Sequence, residues 1–208
     1  MRVRELPILF NDEMVQALLT GRKTCTRRAI KLPDKMTGRP IGKSGDSSNP
    51  LGFFYPGGIK RPPYQPGDIL YVRETWSEIK NADGSHKKYV YKASDQYPFG
   101  ESRYIIKFNW KPSIHMPKKA ARIWLKVTDV RVERLQDITE DGAKEEGANF
   151  KNGKNVGLEE KMRRTAIERF AEIWNSTIKK TDIDRYGWDA NPWVWVIEFE
   201  WCEKPGKE

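Results

Sequence analysis

A mixed α+β fold, a small β-barrel with two or three flanking helices and a long basic loop insertion, is the architecture this sequence predicts, on three observations. Residues 193–201, WVWVIEFEW, alternate so that Trp193, Trp195, Ile197, Phe199 and Trp201 share one face of a strand and Val194, Val196, Glu198 and Glu200 the other. Within 158–180, Ile167, Phe170, Ala171, Trp174 and Ile178 fall on one helical stripe. The stretch 33–66 holds seven of the thirteen prolines and no apolar period, so it reads as a loop.

The remaining elements follow from local signals. Pro7 to Phe10 is a short first strand, and Asn11 or Asp12 caps a helix with Met14, Val15, Leu18 and Leu19 on one face and Gly21 as its C-terminal stop. TCTRR, rich in β-branched and cationic residues, is extended. Gly67–Asp68 turns the chain into a strand at Ile69–Arg73. Asn81 to Gly84 then marks a hairpin, since Asp-Gly supplies the positive φ angles a tight turn needs, and Lys88–Lys92 returns antiparallel. Arg103–Trp110 is a further strand, and the proline-containing WKPSIHMPKKA a connecting loop. Ile123, Leu125 and Val127 alternate with polar residues in a long half-buried strand that continues through Val130 and Val132. Asp137 and Glu140 have capping-box spacing and open a short helix that Gly147 closes.

At 208 residues the chain fits one domain, 1–208, with 33–66 as a flexible Pro/Gly-rich insertion. Hydrophobic residues make up 38% and charged residues 32%, enough for a packed interior under a heavily charged surface. No apolar run approaches the roughly 20 residues of a membrane helix, so no membrane partner is expected and the cytoplasm is the expected compartment. Cys25 and Cys202 lie too far apart in sequence for a disulfide framework or a zinc motif, and neither metal nor cofactor is expected. The net charge of +9 is unevenly spread: residues 1–125 carry 23 Lys+Arg against 11 Asp+Glu, and residues 126–208 carry 15 against 18. From Arg22 to Lys43 the only acid among eight cations is Asp34, a clustering that concentrates phosphates, although a solvated charged loop has the same composition.

The most informative segment is GRKTCTRR, Gly21 to Arg28, directly after the first amphipathic helix. It resembles the signature of ASCH domains in the PUA-like superfamily, with Gly21, Lys23, Thr26 and Arg28 at the matching positions. YQPGDILYVRETW (64–76), the run from Ile123 to Gly147 and the terminal WVWVIEFEW resemble the barrel strands and short helix of that family, leaving out 33–66 and the helix near 158–180. WKPSIHMP and NPWVWV are similar to the larger ASCH proteins of phages and prophages. The resemblance implies a PUA-like barrel and an RNA or nucleobase ligand. One smaller ASCH branch comprises amidohydrolases that deacetylate N4-acetylcytidine, and their catalytic lysine, threonine and glutamate map onto Lys23, Thr26 and Glu146.

Those three residues form a coherent chemical set. Hydrolysis of an amide on a base needs a nucleophile, a group to take its proton and an acid for the leaving amine. Thr26 is a nucleophile only when assisted. Lys23 serves as the base if burial and the neighbouring cations Arg22, Arg27 and Arg28 disfavour its ammonium form, and Glu146 serves as the acid if it is partly buried. On a regular strand Lys23 and Thr26 point to opposite faces, so the segment must turn. Apart from the resemblance, all three also read as ordinary solvated or strand-forming residues.

Substrate-binding candidates are Arg22, Arg27, Arg28, Lys31 and Lys35 for phosphates, Arg73 or Glu74 at a strand end, and Ser113 and His115 in PSIHMP. Trp76, together with Trp110, Trp124 and Trp188, offers faces on which bases stack. Cys25 is a spectator. The functions in competition are a metal-independent amidohydrolase of modified cytidine, a single-stranded RNA ribonuclease or non-catalytic RNA-binding module, and a phage accessory protein that binds another, unidentified protein. The long basic loop favours a polymeric ligand over a free nucleoside.

Overall fold

The computed structural model describes residues 3–33, 36–46, 49–81, 86–94, 108–148 and 165–206. In chain order the elements are β1 (Glu5–Leu9), α1 (Asp12–Leu19), β2 (Cys25–Ala29), β3 (Arg39–Ile41), β4 (Gly52–Tyr55), β5 (Gly58–Lys60) and β6 (Ile69–Arg73). They continue with β7 (Trp76–Lys80), β8 (His86–Tyr91), β9 (Trp124–Arg134), α2 (Glu140–Glu145), α3 (Ala166–Thr177), α4 (Ile183–Tyr186) and β10 (Trp193–Trp201). The class is mixed α+β. These elements fall into two compact units, one within Met1–Thr20, Asp68–Lys126 and Trp201–Glu208, the other within Gly21–Gly67 and Val127–Glu200.

In the first unit β1 runs parallel to β6, in register from Glu5 opposite Ile69 to Leu9 opposite Arg73. β6 pairs antiparallel with the start of β9, Leu70 facing Leu125. β7 and β8 make the expected antiparallel hairpin. α1 is capped by Asn11, whose side chain accepts from Met14 N at 2.9 Å, and it buries Met14, Val15, Ala17 and Leu18 while Leu19 stays exposed. Ile69, Trp76, Met116, Ala120, Ala121 and Trp124 close the core on one side of β6.

In the second unit β2 pairs antiparallel with β10, Cys25 facing Glu198 and Ala29 facing Val194, and β9 flanks β10 on its other side. Both faces of β10 are buried from Val194 to Ile197, and Trp201 at its end is exposed. Two flanking layers explain a strand hydrophobic on both faces. α3 begins at a capping box of Thr165 and Glu168 and buries Ala166, Phe170, Ile173 and Trp174. α2 is capped by Thr139, not by Asp137, whose carboxylate accepts from Arg134 N in the preceding 3-10 turn.

Two expectations change. The segment 33–66 is no plain loop: β3, β4 and β5 form a three-stranded antiparallel sheet, with Phe53 wholly buried against Trp193 at a ring separation of 5.7 Å. Pro40 lies in the middle of β3, and Gly52 and Gly58 open β4 and β5, so these strands lack the side-chain alternation that periodicity detects. The described strands also close no barrel, because β3–β5 pair with one another and β7 with β8, which leaves β1 and β2 as sheet edges. The proposed strand at Arg103–Trp110 lies outside the described residues except at its end, as does the start of the 158–180 helix. Among the described residues no helix is long and apolar enough to cross a membrane.

Candidate functional site

Lys23 reaches its position because the chain turns just after α1. Gly21 adopts φ 68°, a left-handed value natural to glycine, and reverses the chain ahead of Lys23, while β2 starts at Cys25. Lys23 forms an isolated antiparallel bridge with Glu146, and Thr24 N donates to Glu145 O at 2.9 Å. From the other direction, the short helix α2 ends at Glu146, and Gly147 at φ 86° reverses the chain.

The Lys23 ammonium donates to Glu146 Oε2 at 2.6 Å and to the Glu146 backbone carbonyl at 2.8 Å. The second bond satisfies a carbonyl that a helix end leaves without an intrahelical partner. Both side chains are buried, Lys23 to 1% and Glu146 to 5% exposure. Arg27 joins them, donating from Nη1 to Glu146 Oε1 at 3.4 Å and from Nη2 to Glu133 Oε2 at 3.1 Å. Glu133 accepts in turn from Arg131 Nε at 2.5 Å, and Arg131 also pairs with Glu198. The result is a chain of alternating charges from buried Lys23 to half-exposed Glu198, in which each ion has opposite charges beside it. Burial lowers the pKa of Arg131, but bonds to Glu133 and Glu198 outweigh it and raise the value.

Arg27 Nε, also buried, has no hydrogen-bond partner. An unmet buried donor beside an ion pair is a place for a polar atom of a ligand or a water. Cys25 Sγ sits 3.9 Å from Arg27 Nη1, and its thiol is pushed up to about 12, by burial first and by Glu146 next, with Lys23 and Arg27 opposing. A buried thiol held in its protonated form is a poor nucleophile. Thr26 is 2% exposed and takes no part in the network; it occupies the β2 face opposite Cys25 and Arg27, across from Ile197 in register. The structure therefore joins Lys23 with Glu146, adds Arg27, and leaves Thr26 on the opposite face of β2.

The other expected residues scatter. Arg22 is half-buried and donates to Gly147 O at 3.4 Å. Arg28 is half-buried, and desolvation lowers its pKa, opposed by Glu146 and Tyr64. Lys31 is exposed, with Asp182 at 3.8 Å, and Lys35 lies outside the described residues. In the first unit Arg73 donates from Nε to Met116 O at 2.8 Å and from Nη2 to Ile114 O, so it anchors the loop that carries Ser113 and His115. Ser113 is half-buried and His115 exposed in a single 3-10 turn. Glu74 is fully buried in a two-pronged ion pair with Arg122, both bonds 2.8 Å, and burial raises its pKa against that partner's pull. Trp76 and Trp124 are core residues and offer no free face for stacking, which corrects that expectation.

Sequence reasoning missed Arg27 as the link between Glu146 and Glu133, as it missed Glu133 and Arg131; the alternation of charge in VTDVRVER was the available signal. Among the described residues no group of three or more His, Cys, Asp or Glu side chains is placed to hold a metal ion. No family model matches the chain, and neither a curated protein nor a solved structure does.

Proposed function

We propose that this chain is an ASCH-type hydrolase directed at a nucleobase, removing an acyl group from modified cytidine with Lys23, Thr26 and Glu146 as the reacting groups. The ASCH assignment and the PUA-like fold that goes with it rest on GRKTCTRR and its neighbouring segments. The observation that carries the chemistry is the dry Lys23–Glu146 contact of 2.6 Å. Transfer of a proton from Nζ to Oε2 then leaves an amine that takes the Thr26 hydroxyl proton as Oγ1 attacks the acyl carbonyl. Glu146 returns its proton to the cytosine N4 as the C–N bond breaks, and water cleaves the threonyl ester.

The test is release of acetate and cytidine from N4-acetylcytidine by the purified protein without added metal. Turnover by wild type and its loss in folded Thr26→Val support the reading. No release by wild type overturns it and leaves the second reading, an RNA-binding module or ribonuclease. That alternative is favoured by the exposed cations Lys31, Arg39 and Lys43 on the basic segment.

A further inference from the structure

The three-stranded sheet β3–β5 has two unlike faces. Successive residues of a strand point to opposite sides, so burying Phe53 turns its neighbour outward: Phe53 is wholly buried and Phe54 is 45% exposed. Arg39 faces Phe54 and Phe54 faces Ile59 in register, which puts the three in one row across β3, β4 and β5 on the outer face. Ile59 is 48% exposed, and Arg39 is exposed as well. Gly52, two residues before Phe54, presents bare backbone on the same face, where a Cβ would come 3.2 Å from Arg61 Nη1. The Arg61 guanidinium therefore also lies on the outer face, held by Nη1, which donates to Pro50 O at 2.7 Å and to Leu51 O at 3.2 Å. From the other edge, the Arg39 guanidinium stands 5.8 Å from the Phe54 ring centroid, within reach of cation–π attraction. Between Met36 and Arg61 the sequence holds the cations Arg39, Lys43, Lys60 and Arg61 against one acid, Asp46, whose carboxylate accepts from Asn49 N at 3.1 Å in the loop between β3 and β4.

We infer that the outer face of β3–β5 is a docking platform for single-stranded nucleic acid, with a base on Phe54 beside Ile59 and neighbouring phosphates on Arg39 and Arg61. An apolar centre with guanidinium groups reaching it from both edges matches a polymer that carries a flat ring and a negative charge in every unit. An acidic peptide supplies the charge without the ring. Duplex DNA or RNA keeps its base faces stacked inside, away from Phe54. The inference rests on the RNA-binding reading above and needs no hydrolysis at Lys23.

Fluorescence anisotropy of a labelled single-stranded RNA of about ten nucleotides, titrated with the full chain at several salt concentrations, tests the platform. Phe54→Ala is expected to weaken binding about tenfold with the dependence on salt unchanged, whereas Phe54→Trp retains the wild-type affinity or exceeds it. Arg39→Gln is expected to flatten the plot of log affinity against log salt by about 0.7, the share of one phosphate contact. All three positions of substitution face outward, so melting temperatures stay at the wild-type value. Wild-type affinity in folded Phe54→Ala overturns the platform and leaves RNA binding elsewhere on the chain. No binding of the RNA by wild type overturns the platform and the RNA-binding reading together. Displacement of the RNA by polyglutamate as readily as by unlabelled RNA also overturns it and assigns the face to an acidic protein.

Discussion

Lys23 meets Glu146 twice, once at the carboxylate and once at the backbone carbonyl of the same residue, 123 positions along the chain. The two bonds differ in what they need, since the carbonyl remains when the carboxylate is replaced.

Removing one ion from a buried pair leaves the other uncompensated. Lys23→Ala and Glu146→Ala are each expected to lower the free energy of unfolding by about 3–5 kcal/mol, measured by urea denaturation. The double variant Lys23→Met/Glu146→Leu is expected to lose less than the sum of the two single changes, because no lone charge remains. Strict additivity would show that the two groups do not interact in solution.

Thr26 lies outside the ionic network, so its chemistry separates from its packing. Thr26→Val keeps the shape without the hydroxyl and is expected to fold with wild-type stability to within about 1–2 kcal/mol, while acetate release disappears. Thr26→Ser is expected to retain measurable turnover. Equal rates in Thr26→Val and wild type remove Thr26 from the mechanism.

Alkaline pH tests the buried thiol and phenol. The Cys25 thiol stands at about 12 against an ordinary 9.0, and Tyr91, raised by burial and then by Glu74, stands at about 12 against 10.0. Both folded-state values lie above the unfolded ones, so from pH 9 to 12 the unfolded chain binds fewer protons and stability falls as pH rises. Below pH 9 these two groups contribute no slope. In the native protein at pH 8, a thiol reagent is expected to label half-buried Cys202 and spare Cys25; in urea it labels both.

The sheet β3–β5 has its own anchor. Phe53→Ala removes a wholly buried ring and is expected to cost about 3–5 kcal/mol. Gly38→Ala is destabilising too, because a Cβ there meets the Phe54 carbonyl and comes within 2.5 Å of Phe53 Cε1. Hydrogen exchange should find the amides of β4 slower than those of Gly57 and Gly58. Uniformly fast exchange across 50–60 contradicts a packed sheet.

Periodicity made β6, β9, α1 and α3 legible, because each repeats a local pattern over several residues. The same reasoning failed at 33–66, where strands of three or four residues are too short to show alternation and Phe53 packs on a residue remote in sequence. Lys23 and Glu146 stood out only through the resemblance, since no local rule links residues so far apart. Arg27 was legible as a cation, but not as a buried one; its carboxylate partners come from β9 and the end of α2. Trp76 shows the converse, an aromatic whose sequence neighbours gave no sign that Met116, Ala120 and Trp124 would enclose it.

The chain passes between its two compact units four times, at Thr20–Gly21, Gly67–Asp68, Lys126–Val127 and Glu200–Trp201. Neither unit is therefore a continuous reading frame, and no single truncation isolates one. A fragment ending at residue 126 keeps Lys23 and Arg27 but loses Glu133 and Glu146, while one starting at 127 keeps those acids and Arg131 without Lys23 and Arg27. The charge network is heritable only as a whole: a recombination point anywhere between 28 and 132 divides Lys23 and Arg27 from their carboxylates.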